Sequence, residues 1–431
     1  MLARLRSRLA AALLAAAAAL PAGAADFSWS GFGTVGYARS DRDYAYQRFI
    51  DDEGSFKRDS LLGAQLDVSF SPQWSATVQA RLAPGLEDDG HWDVKPTWAF
   101  LGWRPNDDWL LRAGRLRIPL YLYSQTMDVG QTHDMARLPT EMYSITPTSD
   151  FDGLALARIW PTASGELTLE GYHGSAHTTA RFWTRDGLPP VVEPGARFLP
   201  ITVKASGLVL TLREPDTLAR LGAHATRTNQ RNGGRIPRSF PRVELAPGLG
   251  YYQVNPALPG PGFDSLPAIH NLILTAGVEQ SLGGGWRIAA EFARNLQRDT
   301  EFGSGTRGGY LALFKQIDRF TPYASFSWLK ADSSRLDWYR RLTGAPLPGV
   351  IPGAGQINQA QRLAAEAIWT ADQHSLALGS SYAVTPSSKL KFEWLRTHVG
   401  EVSRLIDTPP GSESPRETGL NVFTLNYSFA F

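Results

Sequence analysis

The sequence predicts an all-β chain: a transmembrane, antiparallel, up-and-down β-barrel of about sixteen strands, with short turns at one rim and long loops at the other. Three observations lead there. Apolar and polar residues alternate with a period of two in segments of about ten residues, so that each set lies on its own face of a strand. The connections between these segments alternate strictly between short and long. Finally, the chain closes on "NVFTLNYSFAF", Asn421 to Phe431, an aromatic-rich alternation where chain ends usually fray into polar residues.

The elements follow in order. "MLARLRSRLAAALLAAAAALPAGAAD" has Arg4, Arg6 and Arg8, an apolar run from Leu9 to Leu20, then small residues at Ala22, Ala24 and Ala25. That is the layout of a secretory signal peptide over residues 1–25, with cleavage after Ala24 or Ala25. An N-terminal anchor is the alternative, but twelve Ala-rich residues are too short to span a bilayer. Alternating segments then begin near Phe27, Leu61, Trp74, Val94, Trp109, Gly153, Glu166, Ile201, Thr217, His270, Gly285, Arg307, Phe320, His374, Lys389 and Asn421. "WSATVQARL" is representative: Trp74, Ala76, Val78, Ala80 and Leu82 oppose Ser75, Thr77, Gln79 and Arg81. "SPQ", "RPNDD", "PTASG", "REPD", "LGGG", "QID" and "TPSS" supply tight turns. Between them fall longer connections near 40–59, 84–93, 117–150, 175–199, 228–268, 298–306, 332–373 and 399–419.

Bulk composition narrows the class. The 431 residues include 43 basic and 41 acidic side chains; loss of the leader's three arginines leaves 40 basic, a balance near neutral. No polybasic footprint for nucleic acid remains. Cysteine is absent, which removes disulfides, thiol nucleophiles and Cys-based zinc sites. Beyond the leader no apolar run is long enough for a membrane helix, yet aromatics reach 11%. In a bilayer every backbone group must be paired within the protein, so strands can cross only as a closed barrel. Short periplasmic turns and long external loops are the mark of such barrels. A soluble sandwich or propeller is the alternative; it needs no such loop rhythm, and no blade-length repeat is present.

Two local features carry a resemblance. One is "LNYSFAF" ending on Phe431; the other is "LLRAGRLRIPLYLYSQ", Leu110 to Gln125, with Gly114, Arg115 and Pro119 just ahead of a long connection. The mature chain, 26–431, resembles the sixteen-stranded, trimeric porins of Gram-negative outer membranes, and "GRLRIPL" is faintly similar to the phosphate-selective ones. The resemblance implies export to the bacterial outer membrane, uptake by the outer-membrane assembly machinery through the last strand, and a homotrimer packed through apolar first and last strands. It also implies that the third loop, 117–150, folds into the lumen and narrows the pore, with Arg115 at the constriction. Asp128, Asp134 and Glu141 on that loop are its candidate acidic residues.

With the apolar face outward, the inward basic residues include Arg81, Lys95, Arg115, Lys204, Arg220, Arg287, Lys389 and Lys391. Arg112 joins the constriction set if a bulge adjusts its parity. Inward acids include Asp67, Glu170, Glu279, Glu291 and Glu393. Fixed charges in a narrow aqueous pore focus a strong field, so a basic excess favours anions. Other motifs are weaker. "LEDDGHWD" (86–93) lacks the spacing of a calcium loop, and the histidines have no metal-ligand pattern, so no cofactor is expected. "RTNQRNGGR" (227–235) is a basic external loop that could touch lipopolysaccharide phosphates. The leading expectation is a non-enzymatic, water-filled porin passing small hydrophilic solutes, embedded in outer-membrane lipid. An outer-membrane barrel enzyme using Ser144 and His133, or an adhesion barrel acting through its long loops, is the alternative.

Overall fold

The computed structural model describes residues 25–146 and 148–431, so the expected leader, residues 1–25, lies outside the described residues except for Ala25. Sixteen antiparallel strands close into one barrel. In chain order they are β1 (Asp26–Ser40), β2 (Leu61–Ser69), β3 (Trp74–Pro84), β4 (Trp92–Asn106), β5 (Trp109–Arg117), β6 (Asp150–Pro161), β7 (Glu166–Thr184) and β8 (Gly195–Arg213). They continue as β9 (Thr217–Gln230), β10 (Ile269–Gly283), β11 (Trp286–Gln297), β12 (Thr306–Lys315), β13 (Phe320–Ala331), β14 (Asp372–Thr385), β15 (Ser388–Val399) and β16 (Thr418–Ala430). Each pairs with its sequence neighbours. The seam is made by β1, whose first half pairs with β2 and whose second half pairs with β16, from Phe32↔Ala430 to Ser40↔Val422. Beyond it the backbones of Gly31 and Phe431 exchange hydrogen bonds of 2.8 and 2.9 Å. The sheet therefore has no open edge, the condition a strand must meet in hydrocarbon.

Short and long connections alternate around the whole barrel. Those at one rim have two to four residues and those at the other seven to forty. In β16, Phe423, Leu425 and Tyr427 face out, while Val422, Thr424, Asn426 and Ser428 are buried inside. The same holds around the belt, where Val78, Leu156, Leu221, Leu274, Phe292, Leu311, Phe326, Leu378 and Phe392 are all exposed. Each would lose about 1.5–3 kcal/mol of burial if that face met water, so the outer belt is suited to an apolar surrounding. Near the short turns the exposed residues become aromatic: Trp74, Trp103, Trp109, Trp160, Trp286, Phe320 and Tyr382. This is an interfacial girdle, with Trp74 and Trp103 stacked across β3 and β4 at 5.9 Å.

The loop rim departs from the expected plan in two ways. β7 and β8 run past the belt to nineteen residues each, so their loop shrinks to 185–194. There the polarity inverts: Ile201, Val203 and Ala205 are buried inside, whereas Lys204 is exposed outside. Lys204 was expected in the lumen; above the hydrocarbon the outer face meets water and the inner face packs against loops, so the polar residue turns out. The second departure is helical. The connection 332–371 holds α1 (Ser333–Gly344) and α2 (Ala354–Ala367), whose Leu336, Trp338, Leu342 and Ala365 are buried in the loop cap.

Candidate pore constriction

The chain leaves β5 at Arg117 and crosses the lumen to the opposite wall before returning at Asp150. Wall side chains hold this third loop along its whole course. At its root Arg117, almost fully buried, donates to Asp128 Oδ2 at 2.6 Å and to Asp150 at 3.2 Å, while Arg81 donates to the other Asp128 oxygen. In mid-course Arg220 donates to the Tyr121 carbonyl, and Tyr123 to Glu279. Glu291 accepts from Leu122 N–H (2.8 Å), Tyr143 (2.6 Å) and Tyr310 (2.9 Å). At the far wall Asp134 accepts from Arg287 (2.5 Å), Lys389 (2.7 Å) and Ser381 (2.8 Å). Lys391 donates to the Gly130 and Met135 carbonyls at 2.6 and 3.1 Å. Glu141, on a four-residue helix α3 (Thr140–Tyr143), accepts from Ser327 (2.9 Å), Gln373 (2.8 Å) and Ser375.

Packing accompanies the polar contacts. Leu116, Met135, Met142 and Ile145 form one core with the wall residues Ala289, Ala293, Phe314 and Leu329. Small wall residues make the room. A Cβ on Gly277 would stand 2.7 Å from Leu122 Cγ, and one on Gly308 2.9 Å from the Glu141 carbonyl oxygen, closer than side-chain carbons approach.

What remains open beside the loop is a cavity of about 430 Å³ against the walls of β1–β3, β15 and β16. Its charged lining is Arg48, Arg58, Arg81, Arg137 and Lys391 against Asp59 and Asp128. Both acids are engaged: Asp128 by Arg81 and Arg117, and Asp59 by Arg137 Nε at 2.8 Å. Burial works against their charge, but the arginines outweigh it and hold both carboxyls below the usual range. Arg58 donates to Gln47 at 3.0 Å and forms no ion pair among the described residues. Burial, with Arg137 beside it, lowers its guanidinium to about 10, so it stays charged at neutral pH. The gap is net positive.

The expected residues divide accordingly. Arg81, Asp128 and Lys391 line the gap. Asp134, Glu141, Arg287 and Lys389 anchor the loop, with Asp134, Arg287 and Lys389 keeping 16%, 25% and 19% of their side-chain surface exposed. Arg112 is inward but pairs with Glu170 at 2.7 Å, toward the short-turn side of the loop. Lys95 is inward and sits 3.5 Å from Asp93 of its own strand. Arg115 is a correction: it lies on the outer face. The register runs unbroken from Arg112↔Ala155 to Arg115↔Asp152, so no bulge intervenes, and residues three apart take opposite faces. Arg115 accordingly grips outward-facing Asp152 at 2.8 Å through both oxygens. Sequence reasoning missed Arg58 and Asp59. Their signal is the run "KRDS" just before β2, hidden because it closes a long loop.

His133 adds a titratable element to the loop. Its Nε2 lies 2.8 Å from the Thr126 carbonyl and its ring meets Tyr123 edge-on. Burial, followed by Lys391 and Lys389 against a weaker pull from Asp134, depresses it to about 3. A depressed base is neutral in both the seated and the released loop above pH 6.5, and there it contributes nothing. As the pH falls below 6.5 only the released form takes up a proton, at about 1.4 kcal/mol per unit until the seated form titrates. Loop seating is therefore expected to weaken between pH 6.5 and about 3, seen as rising current noise. His133→Gln should flatten that dependence, and a profile unchanged by this substitution would rule the histidine out.

No family model matches the chain, and no curated protein matches it in sequence. Solved structures do. OmpT of Vibrio cholerae in a trimer form superposes with a TM-score of 0.52 at 10% identity, covering 95% of this chain and all of that one. The outer-membrane channel DcaP of Acinetobacter baumannii gives 0.51 at 9% identity over 94% and 97%. OmpF of Salmonella typhi, solved with daunomycin, gives 0.50 at 11% over 94% and 97%. The fold is that of the sixteen-stranded outer-membrane porins. At such identities the porin barrel is what is shared, and the charges at this chain's gap must be read from its own residues.

Proposed function

We propose that the chain is an outer-membrane porin, a trimer of water-filled barrels that passes small hydrophilic solutes and favours anions. The observation that carries this reading is the gap beside the third loop, where five basic residues face two acids and where Arg58 and Lys391 form no ion pair among the described residues. Fixed positive charge between low-dielectric walls raises the local anion concentration and repels cations. The enzyme alternative has less support: His133 is engaged with the Thr126 carbonyl rather than with Ser144, whose hydroxyl is buried without a partner. Asp89 of the acidic loop pairs with Arg48 and Arg181, and the described residues contain no cluster of three or more metal-ligating side chains. Planar-bilayer recording under a salt gradient tests the reading. Expected are closures in three equal steps and an anion-favouring reversal potential; a folded, heat-modifiable barrel that carries no current would refute it.

The outer face of the loop rim supports a lipid partner with phosphate groups, as in lipopolysaccharide. Lys204 stands directly opposite Arg227 on adjacent strands, and Arg307 stands opposite Arg294 and Lys330, whose charges are met by Asp332 at 2.6 Å and Asp372 at 3.1 Å. Like charges at cross-strand positions are unfavourable unless anions lie between them. Exchanging Lys204, Arg227 and Arg307 for glutamine should cut co-purified lipopolysaccharide several-fold, and unchanged retention would remove this role.

A further inference from the structure

Above the third loop, enclosed by β7–β11 and the loop-borne helix α2, lies a second cavity of about 710 Å³. This is the size of a small-molecule site, for which about 300–1,000 Å³ is usual. Ile145 of the third loop lines it with Asn271 and Asn295 of the wall, on a different arc of the barrel from the gap against β1–β3, β15 and β16. Its character is unlike the gap below. Phe182, Leu199, Phe240, Leu363 and Trp369 make most of its surface apolar, whereas a plain water path would be lined with polar groups. The charged residues of its lining are Arg181, Arg197, Arg235 and Arg404, with no acid among them.

Three of these arginines have no carboxylate within ion-pair distance among the described residues, although Asp407 and Glu366 stand near Arg404. Arg181 is held by Asp89 and Asp407. Arg235 instead donates to Ser265, Arg197 to the Glu193 carbonyl, and Arg404 to the Glu366 carbonyl while stacking on Trp369 at 5.3 Å. None of the three forms an ion pair among the described residues. Two buried donors of the lining, Arg197 Nε and Trp369 Nε1, have no hydrogen-bond partner, and unmet buried donors are costly until an acceptor arrives. An apolar chamber supplied with donors and positive charge, and lacking negative charge, is complementary to one kind of small molecule.

We infer that this vestibule is a capture site for amphipathic organic anions: a single carboxylate or sulfonate on an aromatic or medium-chain alkyl body. The body lies against Phe182, Phe240 and Leu363, and the anionic head meets Arg197 and Arg404. The inference rests on the porin reading and deepens it. A solute held here occupies the lumen above the third loop, and block of the chloride current is the signature.

The test uses full-length protein in a planar bilayer, with 4-phenylbutyrate added on the side of the long loops. Its neutral twin 4-phenylbutanamide and the ring-free anion butyrate serve as comparisons. Phenylbutyrate is expected to reduce the chloride current at concentrations at least tenfold lower than either comparison compound. The double variant R197Q/R404Q should raise the required concentration tenfold or more. Arg404 is half-buried and bonded to the Glu366 carbonyl, so Arg197→Gln alone, folded by heat-modifiable gel mobility, is the second arm, with a smaller shift in the same direction. Equal potency of acid and amide would leave only a hydrophobic crevice and overturn the proposal, as would butyrate matching phenylbutyrate or R197Q changing nothing. Chloride conductance without probe reports separately on the porin reading. Should that reading fail, calorimetric titration of phenylbutyrate into the protein in nanodiscs still decides the site.

Discussion

Substituting Glu141 with alanine is expected to at least double single-channel conductance and to make the open state noisy. The Glu141 side chain is 2% exposed, and its carboxyl accepts from Ser327, Gln373 and Ser375 on two different strands. Hydrogen bonds to a charged acceptor contribute about 1.5–3 kcal/mol each, so the set is worth on the order of 5 kcal/mol to seating the end of the loop. The neighbouring anchors at Asp134 and Lys391 hold the chain before Glu141. Apolar packing of Met142 and Ile145 holds it after. Glu141→Ala therefore loosens the start of α3, leaving it on Met142 packing and the Tyr143–Glu291 hydrogen bond while the loop's root stays clamped by Arg117, and the lumen widens without loss of the barrel. Glu141→Gln is expected to fall between, since the amide still accepts from one hydroxyl but presents donors toward others. Heat-modifiable gel mobility checks folding, and paired conductance histograms check the effect. Unchanged conductance in folded E141A would mean that packing alone seats the loop.

How much of this was legible in the sequence depends on what constrains each residue. The strands were readable because the bilayer imposes a period of two and a length on every crossing, and proline- or glycine-rich turns mark the ends. The constraint lapses above the hydrocarbon. There Lys204 turned outward against expectation, β7 and β8 ran on past their predicted ends, and α1 and α2 formed in a stretch read as loop. Within the lumen, residue type was readable and pairing was not. Asp134 meets Arg287 and Lys389 across separations of more than a hundred residues, which no local spacing encodes. Arg115 shows the limit in the other direction. With Arg112 inward, period two alone places Arg115 outside unless a bulge intervenes, and the resemblance to porins pulled it inside instead.

The second large effect is expected in ion selectivity. The double variant R58Q/R81Q should shift the reversal potential from anion-favouring to near zero or beyond, a several-fold fall in the anion-to-cation permeability ratio. These two positions are chosen because losing them leaves little uncompensated. Arg58 is held by Gln47, not by an acid, and Asp128 keeps Arg117 at 2.6 Å when Arg81 is gone. Arg137→Gln would remove a comparable charge but strand Asp59 in a buried site, where an unpaired carboxylate costs about 3–5 kcal/mol. That variant reports on folding instead of the field. The measurement belongs at low salt. At about 0.1 M the screening length is roughly 10 Å, comparable with the gap, and at about 1 M it shrinks to roughly 3 Å. A shift that is large in dilute salt and fades in concentrated salt is the pattern that fixed wall charges produce. An unshifted reversal potential in dilute salt would move the selectivity step away from the constriction, up to the arginines of the vestibule.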